Sequence, residues 1–151
     1  MYHAIVKRNL LRSFEAINRQ DYEFITKQFS QDAHHYFSGE NHPLAGLRTN
    51  KEDIISWYAR LERLMPDLHF QIEEVSISGL PNRTIAFLKW SDTLTDRDGK
   101  QYSDRGVHVI TISWGKVISL EVYCDTKYLQ GYFDALAAQG VSEAQEQPII
   151  S

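Results

Sequence analysis

The feature that most constrains this chain is the change of hydrophobic period at Pro66. Before it, apolar residues recur every three to four positions; after it, they alternate with polar ones in long segments separated by turn residues, as far as Asp125. Helices first and antiparallel strands afterwards predict an α+β layering in which helices cover one face of a sheet.

In the helical half, Val6, Leu10, Phe14 and Ile17 share one face of a predicted helix over His3 to Arg19. Asp21 reads as the N-cap of a short second helix running to Phe29. Asp32 to Phe37 reads as a brief strand entering a loop at Ser38-Gly39 and His42-Pro43. The spacing Thr49-x-x-Glu52 announces a third helix with Ile54, Trp57, Tyr58, Leu61 and Leu64 inward, stopped by Pro66.

In the strand half, Leu68, Phe70 and Ile72 change parity to Val75 and Ile77, so an extra residue near Glu73-Glu74 predicts a β-bulge that bends the sheet. Thr84 to Thr95, Tyr102 to Trp114 and Val117 to Asp125 read as three further strands. A helix over Lys127 to Ala138 closes the fold, giving one domain over residues 1–140 and a mobile tail over 141–151.

Pairing these strands predicts which side chains share a face. With Gly99 left-handed and Asp96 opposite Lys100, Trp90 and Asp92 join the face of His108. With Gly115-Lys116 as a two-residue loop, His108 falls opposite Tyr123, and Asp125 joins them. That face would mix aromatic rings with titratable groups, as small-molecule pockets do. The same alternation of Glu121, Tyr123 and Asp125 also fits a solvated sheet face, and Asp125 also fits a helix N-cap. Tyr36 is a further candidate wall.

Composition limits the function classes. The chain has 151 residues, 42% hydrophobic, with 16 basic and 20 acidic side chains interspersed, so no basic stripe is laid out for nucleic acid. Cys124 is the single cysteine, which fits a reducing, cytoplasmic setting. Neither a secretory leader nor a membrane span is expected. Adjacent His34 and His35 point to opposite faces of a strand, so no metal site is expected, and no cofactor loop is visible.

The stretches NRQDYEFITKQFSQDA (18–33), HPLAG (42–46) and GKVISLEVYCDT (115–126) resemble the nuclear transport factor 2-like superfamily, which includes ketosteroid isomerases and SnoaL-like polyketide cyclases. The resemblance implies a cone-shaped, curved mixed or antiparallel sheet wrapped by three N-terminal helices, a pocket inside it, and a homodimer formed through the sheet. Laid on the isomerase pattern, the Tyr position falls at Ser13, the Asp base at Phe37 and the second Asp near His108, so that route loses its base. The cyclase pattern implies Asp125 as acid or base with His108 as electrophilic helper, acting on a small apolar carbonyl or polyketide-like ligand; the shared-face count adds Trp90, Tyr123 and Asp92, with Tyr36, around it. A non-catalytic dimeric binding module of the same fold is the alternative.

Overall fold

The computed structural model describes residues 1–151, and its helices and long strands follow the order the sequence predicts, with one short strand added at Gly46–Arg48 where a loop is expected. Helices α1 (Tyr2–Asn18) and α2 (Tyr22–Thr26) lead into strands β1 (Phe29–Phe37) and β2 (Gly46–Arg48). Helix α3 (Lys51–Leu64) precedes β3 (His69–Leu80), β4 (Arg83–Thr95), β5 (Gln101–Ser113) and β6 (Lys116–Cys124), and α4 (Thr126–Ala138) closes the chain. All six strands form one sheet in the order β2-β1-β6-β5-β4-β3, with β1 parallel to β6 and every other pair antiparallel.

Local chemistry sets the boundaries. The Asp21 side chain accepts from the Phe24 amide, which starts α2, but that helix ends at Thr26 and Phe29 already belongs to β1. Asn50, rather than Thr49, caps α3 by accepting from the Asp53 amide at 2.8 Å. One residue of difference keeps the same buried face, so Ile54, Trp57, Tyr58, Leu61 and Leu64 are all buried. The end of α1 is held to β3 by Asn18, whose amide donates to the Phe70 carbonyl at 2.9 Å and accepts from the Phe70 amide at 2.7 Å.

The strand registers decide the faces. The register of β3 on β4 shifts between Ile72 and Glu74, which is the bulge expected there. The Asp96 amide donates to the Lys100 carbonyl and Gly99 has φ +87°, so Trp90, Asp92 and His108 share the concave face as predicted.

The β5–β6 register corrects the other half of the expectation. The turn is Trp114-Gly115, with φ +48° and +81°, so Ser113 pairs with Lys116. Moving the loop by one residue preserves parity, but an extra residue at Ile118 does not: Ile112 pairs with Val117 while Thr111 pairs with Ser119. His108 therefore lies opposite Val122, not Tyr123. The one-residue slip turns Leu120, Val122 and Cys124 inward, and Tyr123 and Asp125 out of the cavity.

Helices α1, α3 and α4 contribute to the core on the concave face, where 33 buried hydrophobic residues form one cluster. Residues 141–151, read as a mobile tail, form a short 3₁₀ turn (Ser142–Gln145) and lie along β2 and α3. The Arg48 guanidinium donates to the Ile149 carbonyl, Arg60 to the Gln147 carbonyl, and the Ser151 amide to the Leu47 carbonyl.

Candidate functional site

The concave face encloses a cavity with about 520 Å³ of empty space counted out to its mouth, although the enclosed part is narrow, with room for a few water molecules. Thirteen of its seventeen lining residues are hydrophobic, so an apolar ligand body is favoured. The polar exceptions are His35, Asp92, Asp104 and His108. The cross-strand register orders them in rows along the sheet. His35 lies beside Leu120 and Ile110; the next row holds Phe37, Val122, His108 and Leu88; then come Cys124, Gly106 and Trp90; Asp104 and Asp92 form the last.

His108 is fixed by its neighbour on β4. The Trp90 Nε1–H donates to His108 Nδ1 at 2.8 Å, so that nitrogen carries no proton and the neutral ring carries its hydrogen on Nε2. Burial lowers the His108 pKa to about 3, which keeps the ring neutral near pH 7. The indole reaches it because position 106 is glycine. A Cβ there would sit 2.6 Å from Trp90 Cζ2 and 2.7 Å from Cη2, and against the Tyr123 carbonyl. Phe14 and Phe70 meet the imidazole edge-on, with centroids 5.0 and 5.9 Å away.

Asp92 and Asp104 face each other across β4 and β5. Oδ1 of Asp92 accepts from the Asp104 amide at 2.8 Å, and no protein group bonds its Oδ2. Desolvation raises the Asp92 pKa to about 6, against the lowering effect of that hydrogen bond, and the Asp104 charge raises it further. Asp104 is also raised by burial, while its Oδ1 accepts from the Arg105 and Asp125 amides. The Cys124 thiol beside it is pushed up first by burial and then by the Asp104 charge, so it stays protonated and unreactive.

Three of the predicted site residues, His108, Trp90 and Asp92, come together in the cavity, and three do not. Tyr123 is 41% exposed on the convex face, its ring centroid 5.8 Å from that of Tyr36, and its hydroxyl donates to Glu121. Asp125 is exposed and accepts from the Tyr128 amide as the N-cap of α4. The solvated-face and N-cap alternatives thus describe the positions of Tyr123 and Asp125, and the physical cause is the bulge at Ile118. Of the isomerase-like positions, Phe37 is a buried cavity wall and Ser13 is hydrogen-bonded to Gln28.

Asp104 and His35 complete the polar set. Asp104 was legible, because the register that puts Asp96 opposite Lys100 puts Asp92 opposite Asp104. No hairpin count reaches His35, because β1 joins the sheet by a parallel pairing. His35 is fully buried, and its Nδ1 accepts from Arg48 Nε at 3.2 Å and from Nη2 at 3.1 Å.

The SnoaL-like domain model matches residues 10–120. The chain belongs to the SnoaL-like family. Its fold is shared with an NTF2-like protein of unknown function from Burkholderia pseudomallei, at 17% identity and TM-score 0.72 over 83% of this chain and 95% of that one. AclR of Streptomyces galilaeus, described as a candidate hydroxylase, aligns at 22% identity and TM-score 0.66 over 85% and 94%. A candidate SnoaL-like polyketide cyclase from Jannaschia aligns at 16% identity and TM-score 0.56 over 77% and 78%. At these identities the likeness to this SnoaL-like chain is one of fold. No curated protein sequence gives a significant match. No helix is long and apolar enough to cross a membrane.

Proposed function

We propose that the cavity carries out acid–base proton transfer on a small, mostly apolar carbonyl compound, in the manner of an isomerase, cyclase or dehydratase. The supporting observation is Asp92: a carboxyl group in an apolar cavity, pinned through one oxygen, free at the other, and titrating near 6. Such a group takes a proton and returns it near neutral pH without a large driving force in either direction. His108, neutral and with its Nε2–H unpartnered, donates to the oxygen on which charge collects.

Asp104 and His108 are four residues apart on β5, roughly 13 Å at the usual rise of a strand. Base and donor therefore act on one charge only if the ligand is elongated and conjugated, so that charge left near Asp92 reaches an oxygen near His108. Polyketide-like carbonyl compounds have this character. Asp125 has no part in the chemistry and serves as the α4 cap.

The test is hydrogen–deuterium exchange at the α-carbon of conjugated ketones in D₂O, followed by NMR. Wild type is expected to accelerate exchange with an inflection near pH 6, and Asp92→Asn to lose both the acceleration and the inflection. Equal exchange by the two proteins, each shown to be folded, overturns the reading in favour of a non-catalytic binding module.

A homodimer through the convex sheet face belongs to the same proposal, supported by half-exposed Phe87 and Tyr123 on that face. Sedimentation should give a dimer, and a monomer across the micromolar range overturns it.

A further inference from the structure

Arg48 is a charged side chain at 0% exposure with no carboxylate bonded to it. Its donors go to the carbonyls of Ala45, Gly46 and Ile149 and to His35 Nδ1, and its guanidinium lies 5.5 Å from the centre of the Trp57 ring. Carbonyl dipoles satisfy its hydrogen bonds, and Asp53 favours its charge only through space, with no ion pair formed.

The bond to His35 has a consequence at the cavity wall. A guanidinium only donates, so His35 Nδ1 must offer its lone pair, and the neutral ring must carry its hydrogen on Nε2. That Nε2 is buried and has no hydrogen-bond partner. Native proteins leave few buried donors unpartnered, because each costs roughly 1–3 kcal/mol. His35 lines the cavity one row beyond His108, at the end opposite the two aspartates.

We infer that His35 Nε2–H, backed by the buried charge of Arg48, is a binding subsite for an anionic oxygen of the ligand: an enolate, a phenolate or a similarly acidic hydroxyl. This deepens the proton-transfer reading and rests on it for the identity of the cavity as the ligand site. A cationic or amine-bearing head group is excluded from this end, since it would meet an N–H donor and a buried positive charge. Tyr58, on α3 with its ring 5.4 Å from that of His35, stays protonated through burial and adds an O–H to the same wall. The ligand thus enters with an acidic oxygen leading and leaves its exchangeable proton beside Asp92.

The subsite is tested with 4-nitrophenol, a flat, narrow probe whose anion is distinguished from the neutral phenol by its visible absorbance. Titrating it with wild-type protein below its free pKa should raise the phenolate band, because the bound form is the anion. His35→Asn places an amide oxygen where Nδ1 accepts from Arg48 but leaves no donor reaching the cavity. It should unfold near the wild-type temperature, bind the phenolate at least about tenfold more weakly and lose the preference for the anion. His35→Gln, whose amide nitrogen reaches the position of Nε2, should restore most of the preference and keeps the test decisive if the Asn variant is unstable. No binding up to the solubility limit, equal binding of both protonation states, or unchanged binding in folded His35→Asn overturns the subsite. Asp92→Asn separates the two readings, since it should keep phenolate binding while losing proton exchange. Phenolate binding without Asp92-dependent exchange overturns the function and leaves the subsite standing.

Discussion

Trp90 donates its indole N–H to His108 Nδ1 at 2.8 Å, and this bond fixes which nitrogen of the histidine faces the cavity with a proton. Trp90→Phe keeps most of the wall but leaves the buried Nδ1 without a donor. The expected cost is about 1–3 kcal/mol, read as a lower urea midpoint with an unchanged slope. The freed ring can also take the other tautomer and present an acceptor where the ligand oxygen needs a donor. Proton exchange should therefore fall further than the stability loss explains, and full activity in Trp90→Phe would remove the tautomer from the mechanism.

Gly106 makes that bond possible, and the reason is space rather than backbone freedom. Gly106→Ala would put a methyl 2.6 Å from the indole, which can rotate away, and against the Tyr123 carbonyl, which cannot. The substitution should destabilise by about 1–3 kcal/mol, as overpacking does. It should also abolish the Trp90–His108 bond. Thermal unfolding checks the first effect, and the His108 ring-nitrogen shifts by NMR check the second.

The aspartate proposed for chemistry should weaken the fold. Burial raises the native Asp92 pKa from 3.8 to about 6. A raised carboxylate contributes stability that is complete below its unfolded value and is lost as pH rises through the native value. Above about pH 6 the ionised group is therefore a net cost, of order 2–3 kcal/mol at about 1.4 kcal/mol per pKa unit. Asp92→Asn, which can still accept from the Asp104 amide, should be more stable than wild type at pH 8 by up to that amount and nearly equal to it at pH 4. Urea denaturation at the two pH values decides it. A less stable variant at pH 8 would mean that Asp92 is not desolvated as described.

The helices, the long strands and half of the candidate site are legible in the sequence, and the split follows from parity. Trp90, Asp92 and His108 share a face because the Asp96–Lys100 loop has a glycine where a left-handed residue is needed, a signal carried by the residue type itself. Tyr123 and Asp125 were misplaced because the extra residue at Ile118 carries no such signal: Val117, Ile118, Leu120 and Val122 allow either parity. His35 and Arg48 were hidden for another reason. Their pairing depends on a parallel strand contact and on Ile149 returning from the far end of the chain, which no local pattern encodes.

Acid should unfold the protein through its histidines. The native pKa values of His35 and His108 lie below the ordinary 6.5, that of His108 at about 3, with burial the largest cause in both and the Arg48 charge assisting at His35. The unfolded chain takes up both protons as pH falls below about 6.5 while the native protein takes up neither, so each ring removes roughly 1.4 kcal/mol per pH unit. Asp92 acts in the opposite sense between about pH 6 and 4, because its raised native value favours the protonated fold, and Asp104, also raised by burial, acts in the same direction as Asp92. The net expectation is a loss of stability on acidification from pH 6.5 that is shallower than two unopposed histidines would give. In Asp92→Asn one opposing group is gone, so the same titration should be steeper. With only Asp104 left to oppose two histidines, an Asp92→Asn urea midpoint that stays flat or rises from pH 6.5 to 4.5 would show that one of the two rings takes up its proton inside the fold.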